Sequence, residues 1–261
     1  MRLVVHADFS QARFLAMCNF SGSHFSAGFT AYQTDFVGAL HFKNCVAGTQ
    51  ASFVEAKFRR VADFVDTRFD CETWWGDAHF FAEAFFRGSR FSGSAQFMGT
   101  TFDGDVDLRA ATIDGQMQTR GLKFPTSDTD GVVDFQHVNL GPDADLKFEG
   151  TDLSRTSLYG TDLTRIKFNG CTWARIPRWP TPIRWISRSS ASRAGLFDEL
   201  ALANEPTYVR IGLRTPNQVG DLYRRFGSPW NPTSRKLRRE IFSQVKWTWI
   251  GKIRQPAARG G

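Results

Sequence analysis

The chain has only four cysteines among its 261 residues: Cys18, Cys45, Cys71 and Cys171. None forms a CxxC pair or sits at metal-ligand spacing from a histidine, which excludes the common zinc and dithiol motifs. A reduced, cytoplasmic protein is the expectation. No run of about 18 apolar residues is present to form a transmembrane helix. Where a secretion signal would carry its apolar core, Ala7 and Asp8 already belong to a repeat. Walker and G-x-S-x-G sequences are absent, and no pair of catalytic acids stands out, so no enzyme, metal or cofactor is expected. Tyrosine is scarce as well, at 4 residues against 25 phenylalanines. A core filled mostly by one aromatic side chain requires a backbone that repeats.

The phenylalanines do repeat, in two interleaved series with a period of eleven. One holds Phe9, Phe20, Phe42, Phe53, Phe64, Trp75, Phe86 and Phe97; the other holds Phe14, Phe25, Phe36, Phe58, Phe69, Phe80, Phe91 and Phe102. Continued to Leu108 and Phe135, the two series have 22 positions, of which 17 are Phe. Random placement would give about two. Two places before these centres the residue is small at 19 of the 22, with Phe29, Leu40 and Leu122 as exceptions. Positions two apart share a face of an extended segment, so each large side chain is expected to point inward beside a small one. Glycine recurs two places after the centre, as in Gly22, Gly38, Gly88, Gly93, Gly99, Gly104 and Gly115. This predicts corners with positive φ every five or six residues. Short extended faces joined by corners and hydrogen-bonded coil on coil make an all-β solenoid. Trp74, Phe81 and Phe85, each adjoining a centre, predict further apolar groups on its outside.

Beyond about residue 136 the step becomes a strict five. Phe148, Leu153, Leu158, Leu163, Phe168 and Trp173 take the centre, Thr151, Thr156, Thr161 and Cys171 the small position, and Gly150, Gly160 and Gly170 the corner. This pattern resembles the pentapeptide-repeat family, whose unit is written A-(D/N)-L-x-x with Leu or Phe as centre. The resemblance covers residues 2–173 and implies a right-handed quadrilateral β-helix with four units per coil. On that fold the elevens combine in twos to make each early coil, and four units of five make each coil at the end. Residues 116–134 fit poorly, with Thr119 and Asp130 where centres belong, and predict a bulged loop.

Once the register is set, Cys18, Cys45 and Cys171 fall on the small inward position and read as core residues. Cys71 falls at a corner, with no cation beside it in sequence to lower its pKa. His24, His41 and His79 each precede a centre and point outward, at spacings that do not stack them for metal binding. Asp103 to Asp107 imitates the opening of a calcium loop, but Leu108 stands where that loop needs glycine. Read every eleven residues, Arg13, His24, Asp35, Val46, Lys57, Arg68, His79 and Arg90 form one outward series, the sharper reading of which is a patterned binding face.

Charge divides the chain. Residues 1–173 carry a net −5, and the remaining 88 residues carry +12. Residues 174–195, rich in Pro, Ser and Arg, read as a linker or a strap along the solenoid. Residues 196–253 read as a basic helical region that caps the solenoid or joins a second copy of the chain. Its last segment places Arg235, Lys236, Arg238, Arg239, Trp247 and Trp249 as candidate contacts to an anionic membrane or nucleic acid. Three functions follow as expectations. The first is a non-catalytic scaffold for protein–protein interaction. The second, implied by the family resemblance, is a mimic of duplex DNA acting on DNA gyrase. The third is a peripheral adaptor working through the basic tail.

Overall fold

A computed structural model describes residues 2–3, 6–125, 131–177 and 192–195. Among the described residues between Arg2 and Asn169 the backbone is a succession of extended segments, most of them two residues long, separated by bends. Each segment bonds in parallel to the one a coil later, as in Arg13↔Asp35, Ala62↔Ala84 and Arg90↔Thr112. The result is a parallel-strand solenoid of about seven turns, with four sheets of seven, eight, five and seven strands. The first sheet begins at Arg2–Leu3, the second at Ala7–Asp8, the third at Arg13–Phe14 and the fourth at Cys18–Asn19. The long coil, in which Ala51 pairs with Thr73, gives way to a shorter one at the end, where Leu146 pairs with Ile166. Leu163–Arg165 is a single 3-10 turn.

The alternation of five and six has a local cause. Each five-residue step closes a turn in which the small residue's N–H bonds the carbonyl of the preceding centre, as in Ala12 to Phe9 and Ala56 to Phe53. The residue inside that turn is left-handed, at Gln11, Gln33, Asn44, Glu55, Asp66 and Asp77 as well as at Gly22, Gly88 and Gly99. Left-handed residues therefore line the two corners that follow the second and fourth sheets. At the other two corners the expectation of positive φ fails, except at Gly28 with φ 112°. Gly38, Gly93, Gly104 and Gly115 are not left-handed. A Cβ there would fall within the backbone of the previous coil, for example at Ala16, Cys71 or Ala82, so these glycines serve close approach.

The interior is a stack of aromatic columns. Phe14, Phe36, Phe58, Phe80 and Phe102 stack successively in the third sheet, with ring centroids 4.3–5.3 Å apart. Phe53, Trp75 and Phe97 do the same in the second. Phe25, Phe53, Phe58, Phe64, Phe69, Trp75, Phe80, Phe86, Phe91, Phe97, Phe102, Leu153, Leu158 and Leu163 are buried, whereas Phe9, Phe14, Phe20 and Phe168, in the terminal turns, are half-buried. Burying one such side chain stabilises by about 2 kcal/mol. Large residues at the small position are balanced in place: Phe29 is inward two residues before the centre Ala31, and both are fully buried.

The small positions also do polar work. After the tight corners, Thr34, Thr67, Ser89 and Thr100 donate to the carbonyls of Phe9, Phe42, Phe64 and Trp75 of the preceding coil, at 2.5–2.7 Å. Cys45 Sγ reaches the Phe20 carbonyl in the same way, at 3.0 Å. The carbonyls of Phe9, Phe64 and Trp75 also accept the N–H of their own turn, so the hydroxyl occupies the second lone pair.

Residues 116–134 depart from the expected bulge. Gln116–Gln118 is a regular strand of the second sheet, paired to Asp145–Lys147. Thr119 is an inward, buried centre whose Oγ1 donates to the Lys147 carbonyl at 2.8 Å. Lys123 still pairs with Thr101 at the regular coil step, but Val106 pairs with Val133, five places beyond it. The insertion therefore lies between Lys123 and Val133, and residues 126–130, with Asp130, are outside the described residues. Its exit is pinned by Asp105 Oδ1 accepting from Val132 N–H at 2.7 Å and by Arg155 Nε donating to the Gly131 carbonyl at 2.6 Å. At the two ends of the 174–195 segment, Ala174–Pro177 pairs antiparallel with Ser192–Gly195. The expected helices of 196–253, with Arg235, Lys236, Arg238, Arg239, Trp247 and Trp249, lie outside the described residues.

Candidate interaction faces

Because successive side chains of a strand point to opposite sides, the residue beside each inward position is displayed outward in register. The series of eleven read from the sequence divides here between two faces. His24, Val46, Arg68 and Arg90 belong to the first sheet, and Arg13, Asp35, Lys57 and His79 to the third. The true column period is one whole coil, twice the step seen in the sequence.

On the third sheet the outward side chains form a connected array. Arg59 Nε bonds Asp35 Oδ1 at 2.8 Å, and Arg13 Nε lies 3.4 Å from the same carboxylate. Hydrogen bonding from Arg59 holds the Asp35 carboxyl below its ordinary range and pushes the guanidinium up. The Arg59 guanidinium sits 4.9 Å from the centroid of the Phe81 ring, which stacks on His79 at 3.7 Å. His79 Nε2 in turn lies 2.7 Å from Asp103.

The fourth sheet presents His41, Asp63, Phe85 and Asp107 in one column, with Asp134 following. Asp63 and Asp107 face outward yet are buried, because cations lie over them. Lys43 Nζ is 2.9 Å from Asp63, and Arg109 makes two bonds to Asp107 while approaching Asp134 at 3.5 Å. Burial pushes the Asp107 carboxyl up, but the hydrogen bonds and charge of Arg109 outweigh it and hold the carboxyl below its ordinary value.

The first sheet pairs Arg68 with Asp70 at 2.9 Å and Arg90 with Asp114 at 2.7 Å. The second presents Thr30, Ser52, Trp74, Gln96 and Gln118, an uncharged stretch of a column that begins at Asp8 and continues to Lys147.

The candidate chemical groups are dispersed over this frame. His24, His41 and His79 lie on the first, fourth and third sheets. Asp103, Asp105 and Asp107 engage His79, Val132 and Arg109 separately. Burial pushes the Cys45 thiol up to about 11 and the Cys71 thiol up to about 12, the latter helped by Asp70 and Glu72, so neither is a ready nucleophile at neutral pH. No group of three or more His, Cys, Asp or Glu side chains among the described residues is placed to hold a metal ion. Among the same residues, no helix is long and apolar enough to cross a membrane. What sequence reading did not anticipate is the Arg59–Phe81–His79 stack. Its signal is the step of one coil from Arg59 to Phe81, which only the coil length makes meaningful.

Residues 144–172 match the family described as pentapeptide repeats, in eight copies. No curated protein matches the chain. Among solved structures, one similarity is to the trypsin-treated form of QnrB1, a plasmid-mediated fluoroquinolone resistance protein. It has 15% sequence identity, covers 64% of this chain and 90% of that one, and has a TM-score of 0.17.

Proposed function

We propose that this chain, which carries pentapeptide repeats, is a non-catalytic cytoplasmic scaffold that binds another protein through the outer faces of a right-handed quadrilateral β-helix. The basic C-terminal region would cap that solenoid or join two copies of it. One observation carries the reading. Side chains are displayed in columns fixed by coil-to-coil hydrogen bonds around an interior filled with aromatic rings, which is a recognition surface that costs little to order on binding. A mimic of duplex DNA would need a carboxylate-dense exterior, whereas these faces intersperse Arg and Lys with Asp, so the scaffold reading is preferred to action on gyrase.

The test is capture from cell lysate by the full-length chain at moderate salt, beside charge-reversal variants of each face. Stoichiometric retention of a defined protein, lost with the variant of one face, supports the proposal. Retention of nucleic acid or lipid alone, abolished by salt, would move the function to the tail.

A further inference from the structure

The five large apolar side chains that are exposed among the described residues are Leu15, Met17, Tyr32, Phe81 and Met98. They are not scattered. Leu15 and Phe81 immediately follow the inward Phe14 and Phe80 of the third sheet. Met17 lies in the corner leading from that sheet to the fourth, and Tyr32 and Met98 lie in the corners leading into it from the second. Every one therefore borders the third sheet, while Trp74 and Phe85 on the second and fourth are half-buried.

Positive charge is concentrated on the first three turns of this face, beside Leu15, Met17 and Tyr32. Residues 13–17, 35–39 and 57–61, the first three turns of this face and its exit corner, hold Arg13, Lys57, Arg59 and Arg60 against one carboxylate, Asp35, whereas the next two turns, 79–83 and 101–105, hold Glu83, Asp103 and Asp105 and no Lys or Arg. Lys57 and Arg60 enter no ion pair among the described residues. Arg59 is pre-positioned, with Nε on Asp35 and its plane over Phe81, and its terminal nitrogens make no hydrogen bond among the described residues. An exposed aromatic ring and a guanidinium oriented over it by Asp35, on a face bordered by further exposed apolar side chains, have the composition of an interface hot spot, and the terminal nitrogens of Arg59 suit a carboxylate.

Resting on the scaffold reading, we propose that the partner docks on the third sheet and presents a short acidic segment built around apolar side chains. The chain's own residues 174–261 carry a net +12. Their sign matches the cations of this face, which opposes them as its occupant.

The experiment measures binding of two labelled synthetic peptides to the full-length chain by fluorescence anisotropy. One peptide alternates Glu with Leu; the other alternates Lys with Leu. Variants Arg59→Glu and Phe81→Ser report on the third sheet, and Arg68→Glu on the first sheet serves as control. Circular dichroism checks that all three fold. We expect the Glu–Leu peptide to bind in preference to the Lys–Leu peptide, and Arg59→Glu and Phe81→Ser each to weaken it about tenfold or more. Arg68→Glu should leave it unchanged.

Equal binding of both peptides, or none, overturns the inference. So does binding that survives both third-sheet variants, which would place the acidic peptide on the basic tail. A dimer dissociated by Phe81→Ser in sedimentation, with no peptide effect, assigns the face to a second copy and equally overturns it. The scaffold reading fails separately. If a protein captured from lysate stays on both third-sheet variants but leaves a variant of another face, only the docking inference is lost.

Discussion

At the scale of single residues, the same substitution should have opposite signs at two threonines close together in the chain. Thr67 follows a tight corner, and its buried Oγ1 donates to the Phe42 carbonyl at 2.5 Å. Thr73 is equally buried but follows one of the wider corners, and its Oγ1 has no partner among the described residues. Thr67→Val removes a donor while keeping the shape and should cost about 1 kcal/mol, whereas Thr73→Val removes a buried hydroxyl that bonds nothing and should stabilise by about 1 kcal/mol. Thermal denaturation of the two variants decides it, and loss of stability in both would refute the assignment. A second prediction concerns acid. The Asp107 carboxyl is depressed in the folded chain, with Arg109 as its partner, so its contribution is present above the unfolded value of about 3.9 and is lost as pH falls through the lower folded value. Melting temperatures of the unaltered chain and Asp107→Asn should therefore differ well above that value, at about pH 5.5, and converge only as the pH falls below the depressed folded value. A gap that is independent of pH would show that the ion pair contributes nothing.

At the scale of the repeating element, the two kinds of corner should answer differently to glycine. Ala110 is left-handed at φ 55°, a conformation that costs an L-residue about 1–2 kcal/mol. Ala110→Gly relieves that strain but adds freedom to the unfolded chain, and it should stabilise by roughly 0.5 kcal/mol. Gly104→Ala does the reverse without any left-handed strain. Its Cβ would meet the Ala82 backbone of the previous coil at 2.6 Å, and coils bonded at every segment cannot separate locally, so about 2 kcal/mol or more should be lost. Chemical denaturation of both variants measures this. Equal, small effects would mean that the two corners are interchangeable. The sequence displays corner glycines of both kinds at the same offset from the centre, which is why pattern reading assigns them one role. What separates them is whether the step ahead is the shorter or the longer one, and that difference acquires meaning only once the turn hydrogen bond is seen.

At the scale of the whole molecule, the inward register was legible because two positions of the unit are repeated through many coils. Phe58 and Ala56 identify the same face from either side. The outward faces were less legible, because a period of eleven interleaves two sheets and hides columns that recur only once per coil; Arg59 and Phe81 are neighbours only through the coil. The insertion between Lys123 and Val133 was blurred into a longer bulge because Thr119, a polar residue at a centre, looks like a break in the pattern. It is in fact a buried donor bonded to the next coil. The same stacking sets how damage spreads. Each coil touches only its neighbours, so stability is a sum of coil and interface contributions, and a fault at the centre removes two interfaces while a fault at the end removes one. Phe64 packs against Phe42, Phe53, Phe69, Trp75 and Phe86, and Phe64→Asp buries an unpaired charge among them. Phe168 is half-buried in the last turns, against Phe148 and Trp173. Circular dichroism should show the β signal largely lost in Phe64→Asp, mostly kept in Phe168→Asp and unchanged in Arg68→Ala, whose side chain is on the outside. Equal loss in the two Phe variants would mean that the solenoid folds as one indivisible unit, not as coupled coils.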